Sequence, residues 1–134
     1  MSRLVIGLGF REHATARSIG EVLSRVVAQA AMPDAAKILA VVEDKAVHPA
    51  LLAAVRAVQF PVETVTVDAM RQADVRIATR SERVVRQRGV GSVCEATALA
   101  AAGASARLVV PRMVSADRTA TAAAAAALTE SAAP

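Results

Sequence analysis

The feature that most restricts this chain is a series of short apolar runs alternating with helical periods. Arg3 to Leu8 (RLVIGL) is a continuous apolar run ending in Gly7-Leu8-Gly9, the pattern of a buried parallel strand that leads into a tight turn. Ile19, Val22, Leu23, Val26, Val27 and Ala30 then recur at steps of three and four. They predict an amphipathic helix capped by Thr15 or Ser18 and ended by Met32-Pro33-Asp34. Ala36 to Val42 reads as a second buried strand with Glu43-Asp44-Lys45 at its carboxyl end. His48-Pro49 opens a second helix with Leu51, Leu52, Val55 and Val58 on its inner face, and Pro61 closes it. Val62 to Val67 alternates apolar and polar residues, as a strand does at an edge or with one exposed side, and Asp68 caps a short helix, Ala69 to Ala73. Strand, helix, strand, helix, strand in this order makes a parallel sheet the expected fold.

The second half is punctuated differently. Val75 to Gly91 is polar and irregular, and reads as a loop with one short helical turn near Ser81 to Arg86; loops of that length inside a domain usually serve function. In Arg88-Gly89-Val90-Gly91-Ser92-Val93-Cys94-Glu95 the glycines free the backbone to turn, and Ser92 with Glu95 has the spacing of a capping box. The helix so begun runs from Val93 to Ala102 and stops at Gly103. Ala106 to Val110 is another buried strand, stopped by Pro111. Ala120 to Leu128 is helical by alanine's propensity, yet one more strand there would complete the sheet. Without a repeat or linker to divide the 134 residues, a single domain over residues 1–130 is expected, with residues 131–134 frayed.

Only Phe10 and Phe60 are aromatic, so the core must be built from Val, Ile, Leu and Ala, which favours close packing of helices on the sheet. The net charge is +4, and the basic residues are nearly all arginine, whose planar fork holds carboxylates and phosphates bidentately. Arg71, Arg76, Arg80, Arg83, Arg86 and Arg88 stand against only Asp74 and Glu82 in one stretch. An anionic partner follows, or else a solvated arginine face. Nucleic acid is disfavoured, because base stacking wants aromatics that this chain lacks. A polycarboxylate or phosphorylated small molecule fits the charge at least as well. The lone Cys94 forms no internal disulfide, no Cys/His cluster has metal-ligand spacing, and no apolar run reaches the roughly 18 residues of a membrane span. No metal, no cofactor, no membrane and a reducing cytoplasmic location are the expectations.

Gly7-Leu8-Gly9 is half of a dinucleotide fingerprint, but position 12, where the third glycine would fall, is Glu12, which argues against a Rossmann cofactor. A strand-to-helix turn at the carboxyl edge of the sheet remains, where open α/β sheets place ligands. Arg11 sits in it, either binding an anion or pairing with Glu12 or Glu43. The start of the Val93 helix is a second candidate seat for an anion, through its unpaired amides and dipole. Glu95 is either a capping partner alone or also an acid, a base or a ligand contact, and is the candidate catalytic residue. Cys94, at a helix start near arginines, would have a lowered pKa; with no partner base it reads as a small core residue. His13 and His48 read as a turn residue and a cap before proline.

Four segments carry a resemblance to a known family: Gly7-Leu8-Gly9-Phe10-Arg11, Lys45, Gly91-Ser92-Val93-Cys94-Glu95-Ala96 with Ala98-Leu99, and Leu108-Val109-Val110-Pro111-Arg112. In this order they resemble the CobE family, which is similar to the C-terminal domain of CbiG-type cobalamin biosynthesis proteins. Glu12 stands where a second basic residue is often found, and Arg112 where lysine is common. The resemblance implies a three-layer α/β/α fold on a mostly parallel sheet of about five strands, with the last strand, near Arg118 to Ala125, free to run antiparallel. It implies a role in making the corrin ring: binding or carrying a precorrin-type polycarboxylate intermediate of the aerobic route. Hydrolysis or rearrangement of a precorrin, or docking on another enzyme of the pathway, are the alternatives. Gly9, Arg11, Lys45, Gly91, Ser92 and Glu95 are the expected ligand contacts.

Overall fold

The computed structural model describes residues 2–74 and 92–128. Gly91, residues 75–90, for which a loop and a short helical turn were expected, and residues 131–134, expected to fray, lie outside the described residues. Five strands, β1 (Ser2–Phe10), β2 (Ala36–Val42), β3 (Val62–Val65), β4 (Arg107–Val114) and β5 (Ala120–Leu128), form one sheet in the order β3-β2-β1-β5-β4. β1, β2 and β3 pair in parallel, while β5 lies antiparallel between β1 and β4. Four strands therefore point one way and β5 alone is reversed. Among the described residues the helices are α1 (Ala16–Ala30), α2 (Pro49–Val58), α3 (Val67–Gln72) and α4 (Val93–Ala102).

Alternation along the strands divides the core in two. Leu4, Ile6, Leu8 and Phe10 of β1 face α1 and α2 with Leu39, Val41, Ala122 and Ala124. Val5, Ala40, Val42, Ala125 and Ala127 face α3 and α4 with Met70, Ala96 and Leu99. This is the expected three-layer arrangement.

The alanine-rich tail is a strand because of where it lies. β5 pairs on both edges, residue by residue with β1 from Ser2↔Leu128 to Phe10↔Ala120, and is covered by α1 on one face and α4 on the other. Helices approaching from both sides leave room for little more than a methyl group, so tertiary packing overrides alanine's preference for helix.

Gly7 and Gly9 lie inside β1, which runs on to Phe10, and not in a turn. A Cβ on Gly7 would fall 2.1 Å from the Cys94 carbonyl oxygen and 2.6 Å from the Ala98 amide nitrogen. The glycine is there so that the backbone of α4 can rest on the strand. α4 runs antiparallel to β1: the Arg3 guanidinium at the start of the strand donates to the Ala102 carbonyl at the end of the helix at 3.2 Å, while Gly9 abuts Val93.

Several local expectations are corrected. β4 passes through Pro111, since β4 is an edge strand with register shifts between Leu108 and Val110 and between Val110 and Met113; the proline falls in the second bulge, where its missing N–H costs no ladder bond. On α2 only Leu52 departs from the expected inner face, being exposed; Leu51 is buried with Ala54, and Val55 and Val58 pack partly buried against the same core. α3 is capped by Thr66, which accepts from the Ala69 N–H, so β3 stops at Val65. α1 ends before Met32 because Ala31 adopts a left-handed conformation (φ 52°), a helix stop without its usual glycine.

Candidate functional site

The carboxyl ends of β1 and β2, the start of α4 and the β4–β5 connection share one edge of the molecule. Two groups of residues meet there, on either side of the end of β1.

The first forms around Phe10. Its ring meets the His48 ring edge to face, with centroids 5.2 Å apart, and carries the Lys45 ammonium 5.3 Å from its centroid. Lys45 ends a single turn of 3₁₀ helix, Glu43–Lys45, that continues from β2. Its Nζ lies 3.9 Å from Glu12 Oε1, and His48 Nε2 lies 3.7 Å from Glu12 Oε2. His48 is the cap expected before Pro49: Nδ1 accepts the Ala50 N–H at 3.1 Å. That bond leaves the proton on Nε2, which donates to the Glu12 carbonyl at 2.7 Å. Arg11 follows the end of β1 directly, its side chain exposed and its N–H donating to the Thr119 carbonyl at 2.8 Å. Among the described residues Glu12 meets Lys45 and His48, and no ion pair forms to Arg11.

The second group lies under α4. Ser92 is the residue before the helix, but its side chain makes no capping bond; its hydroxyl sits 3.6 Å from Cys94 Sγ, fully buried. Glu95 is also fully buried, and its Oε2 accepts the backbone N–H of Arg112 at 2.8 Å. The expected capping box is thus not made: the carboxyl reaches sideways to β4 to satisfy an amide that the Pro111 bulge takes out of the ladder. Cys94 is buried, and burial pushes its thiol up to about 11 despite hydrogen bonding with Thr121 and Ser92. The lowered value expected of a helix start is overturned because desolvation outweighs the dipole. Thr121 Oγ1 donates to the Gly9 carbonyl at 3.2 Å.

The β4–β5 connection is a built turn. Asp117 Oδ1 accepts from the Ser115 hydroxyl at 2.6 Å and the Thr119 hydroxyl at 2.8 Å, and Oδ2 accepts from the Ser18 hydroxyl of α1 at 2.5 Å.

The expected residues accordingly divide. Arg11 and Lys45 present cationic heads near the end of β1, and Gly9 lies on the other side of that strand end, against Val93 and Thr121. Ser92 and Glu95 lie beneath, closed off from solvent. Phe10, Glu12, His48 and Thr121 were missed as site residues; the nearest signal was that Phe10 and Glu12 bracket Arg11, and that His48 follows Lys45 by three positions.

The family described as Cobalamin synthesis G C-terminus matches residues 4–125. The chain belongs to that family. Protein CobE of Sinorhizobium sp is 32% identical over 118 residues, covering 87% of this chain and 77% of that protein. The crystal structure of CobE, a protein from the cobalamin (vitamin B12) biosynthetic pathway, superposes with a TM-score of 0.82 at 26% identity, over 97% of this chain and 94% of the other. Cobalamin biosynthesis protein chiG from Agrobacterium tumefaciens str. C58 gives a TM-score of 0.66 at 32% identity, over 91% and 96%. As a CobE/CbiG protein, the chain is a protein of cobalamin biosynthesis. Among the described residues of this CbiG C-terminal domain, no helix is long and apolar enough to cross a membrane. The segments that carried the resemblance find their places in the fold: the glycines of β1 and the Cys94–Leu99 stretch form the β1–α4 contact, and Pro111-Arg112 is the bulge that Glu95 holds.

Proposed function

We propose that this protein binds a precorrin-type polycarboxylate intermediate at the carboxyl edge of its sheet and carries it between steps of cobalamin biosynthesis. The observation that carries the reading is the pair of cations at the end of β1, Arg11 exposed in the turn and Lys45 braced on Phe10. Precorrins bear several acetate and propionate groups, and two separated cations at the end of one strand suit such an acid. The net charge of +4 works in the same direction over longer range. In this reading Ser92 and Glu95 are supports beneath the edge, and Glu95 keeps β4 in place.

The test is titration of the purified protein with hydrogenobyrinic acid, followed by the probe's absorption spectrum and the protein's melting temperature. Binding raises the melting temperature, and Arg11→Ala weakens it about tenfold, as loss of one charge-assisted contact would. No spectral or thermal shift at high micromolar probe would end the reading.

A further inference from the structure

Glu12 is held in an unusual way. Its main chain is fixed, because the His48 Nε2–H donates to its carbonyl at 2.7 Å while His48 Nδ1 caps α2. Its side chain is 88% exposed, with Oε1 3.9 Å from Lys45 Nζ and Oε2 3.7 Å from His48 Nε2. Lys45 is the converse: the side chain is only 22% exposed, with the ammonium 5.3 Å from the centre of the Phe10 ring. A cation with little freedom therefore faces a carboxylate that can swing away into water without moving the backbone. Exposed ion pairs at such distances are weak and readily exchanged.

We propose that Glu12 is a tethered stand-in for a ligand carboxylate, holding the Lys45 ammonium until an external polycarboxylate displaces it. The ligand class follows from the stand-in. The group received at Lys45 is a carboxylate, and Arg11, next to Glu12 in the chain, takes a second acid of the same molecule. The inference rests on the binding function proposed above and adds to it a competitor built into the fold. Displacement also frees the Glu12 carboxylate to repel surplus acid groups, so the edge favours a ligand able to engage Lys45 and Arg11 together.

The test is a double-mutant cycle with hydrogenobyrinic acid as the probe. Glu12→Gln, which keeps the shape and removes the charge, is expected to tighten binding about two- to fivefold. In the Lys45→Met background, which keeps an apolar stem on Phe10, that gain is expected to vanish. A gain of equal size in both backgrounds would mean only a long-range charge effect and would overturn the proposal, as would no gain at all. A second readout needs no ligand. The chain has two lysines, Lys37 and Lys45, and Lys37 donates to the Met32 and Pro33 carbonyls at 3.0 and 2.9 Å, so it serves as an internal reference. Labelling with an amine-reactive reagent, read by mass spectrometry, should show the Lys45 to Lys37 ratio rising about twofold or more in Glu12→Gln. An unchanged ratio overturns the Glu12–Lys45 contact. Failure of the probe to bind either protein would instead end the proposed function, leaving the labelling ratio to decide the contact.

Discussion

The carboxyl of Glu95, in the first turn of α4, accepts the backbone N–H of Arg112 in β4 at 2.8 Å, with the Glu95 side chain wholly out of solvent. The bond joins a helix to the bulge of an edge strand. It gives the bulged amide a partner that the ladder cannot supply.

Glu95→Ala should therefore cost roughly 2–4 kcal/mol, the sum of a lost buried hydrogen bond and a cavity. Glu95→Gln keeps an oxygen for the Arg112 N–H and should lose less than half as much. Chemical denaturation of the two variants checks the order; equal losses would mean that the Arg112 bond is not what matters.

Gly7 should tolerate nothing larger. Gly7→Ala drives a methyl group into the backbone of α4 at Cys94 and Ala98, and either lifts the helix or fails to fold, a loss at or beyond the upper end of about 1–3 kcal/mol for overpacking. Gly20 in α1 is the internal contrast. A Cβ there meets nothing within 4 Å, so Gly20→Ala should stabilise by about 0.5–1 kcal/mol. Paired melting curves compare them.

Cys94 should resist iodoacetamide at pH 8 until the chain unfolds, because its thiol is buried and pushed up to about 11. In the unfolded chain the thiol ionises near 9.0, so between about 9 and about 11 the folded form binds the extra proton. Stability is then full below about pH 9 and falls as pH rises through this window. Cys94→Ala should remove that part of the slope, measured as unfolding free energy against pH.

Asp117 predicts the opposite limb. Hydrogen bonds from Ser115, Ser18 and Thr119 hold its carboxyl well below the usual 3.8. The stability it adds is present above about pH 4 and is lost as pH falls further. Asp117→Asn should lower the melting temperature at pH 7 and flatten the acid loss, and it should loosen the Ser115–Ala120 turn, where Arg118 stands at a φ of 64°.

How much of this was legible in the sequence differs by element. β2 is observed at Ala36–Val42 and α4 at Val93–Ala102, the bounds that the pattern predicts, because one is a continuous apolar run and the other has its glycine stop at Gly103. Arg11 and Lys45 were legible as cations at strand ends, since that position follows from strand order alone. Glu95 was legible as important and misread in its partner. The spacing to Ser92 is local and visible, whereas Arg112 lies 17 residues away and comes within reach only because Pro111 bulges an edge strand. Glu12 and His48 were invisible as a pair because nothing along the chain links positions 36 apart.

The sequence by itself determined the alternation of strand and helix, the direction of the first three strands and the concentration of positive charge, because these follow from periodicity, turn chemistry and residue type within a few neighbouring positions. Only the tertiary structure decided that an alanine run would be a strand, that Gly7 would seat a helix and that a would-be capping carboxyl would hold a bulge. Each of these depends on what packs against the residue from elsewhere in the chain: helices closing on both faces of β5 leave no room for more than methyl groups, and the backbone of α4 leaves none at all beside Gly7.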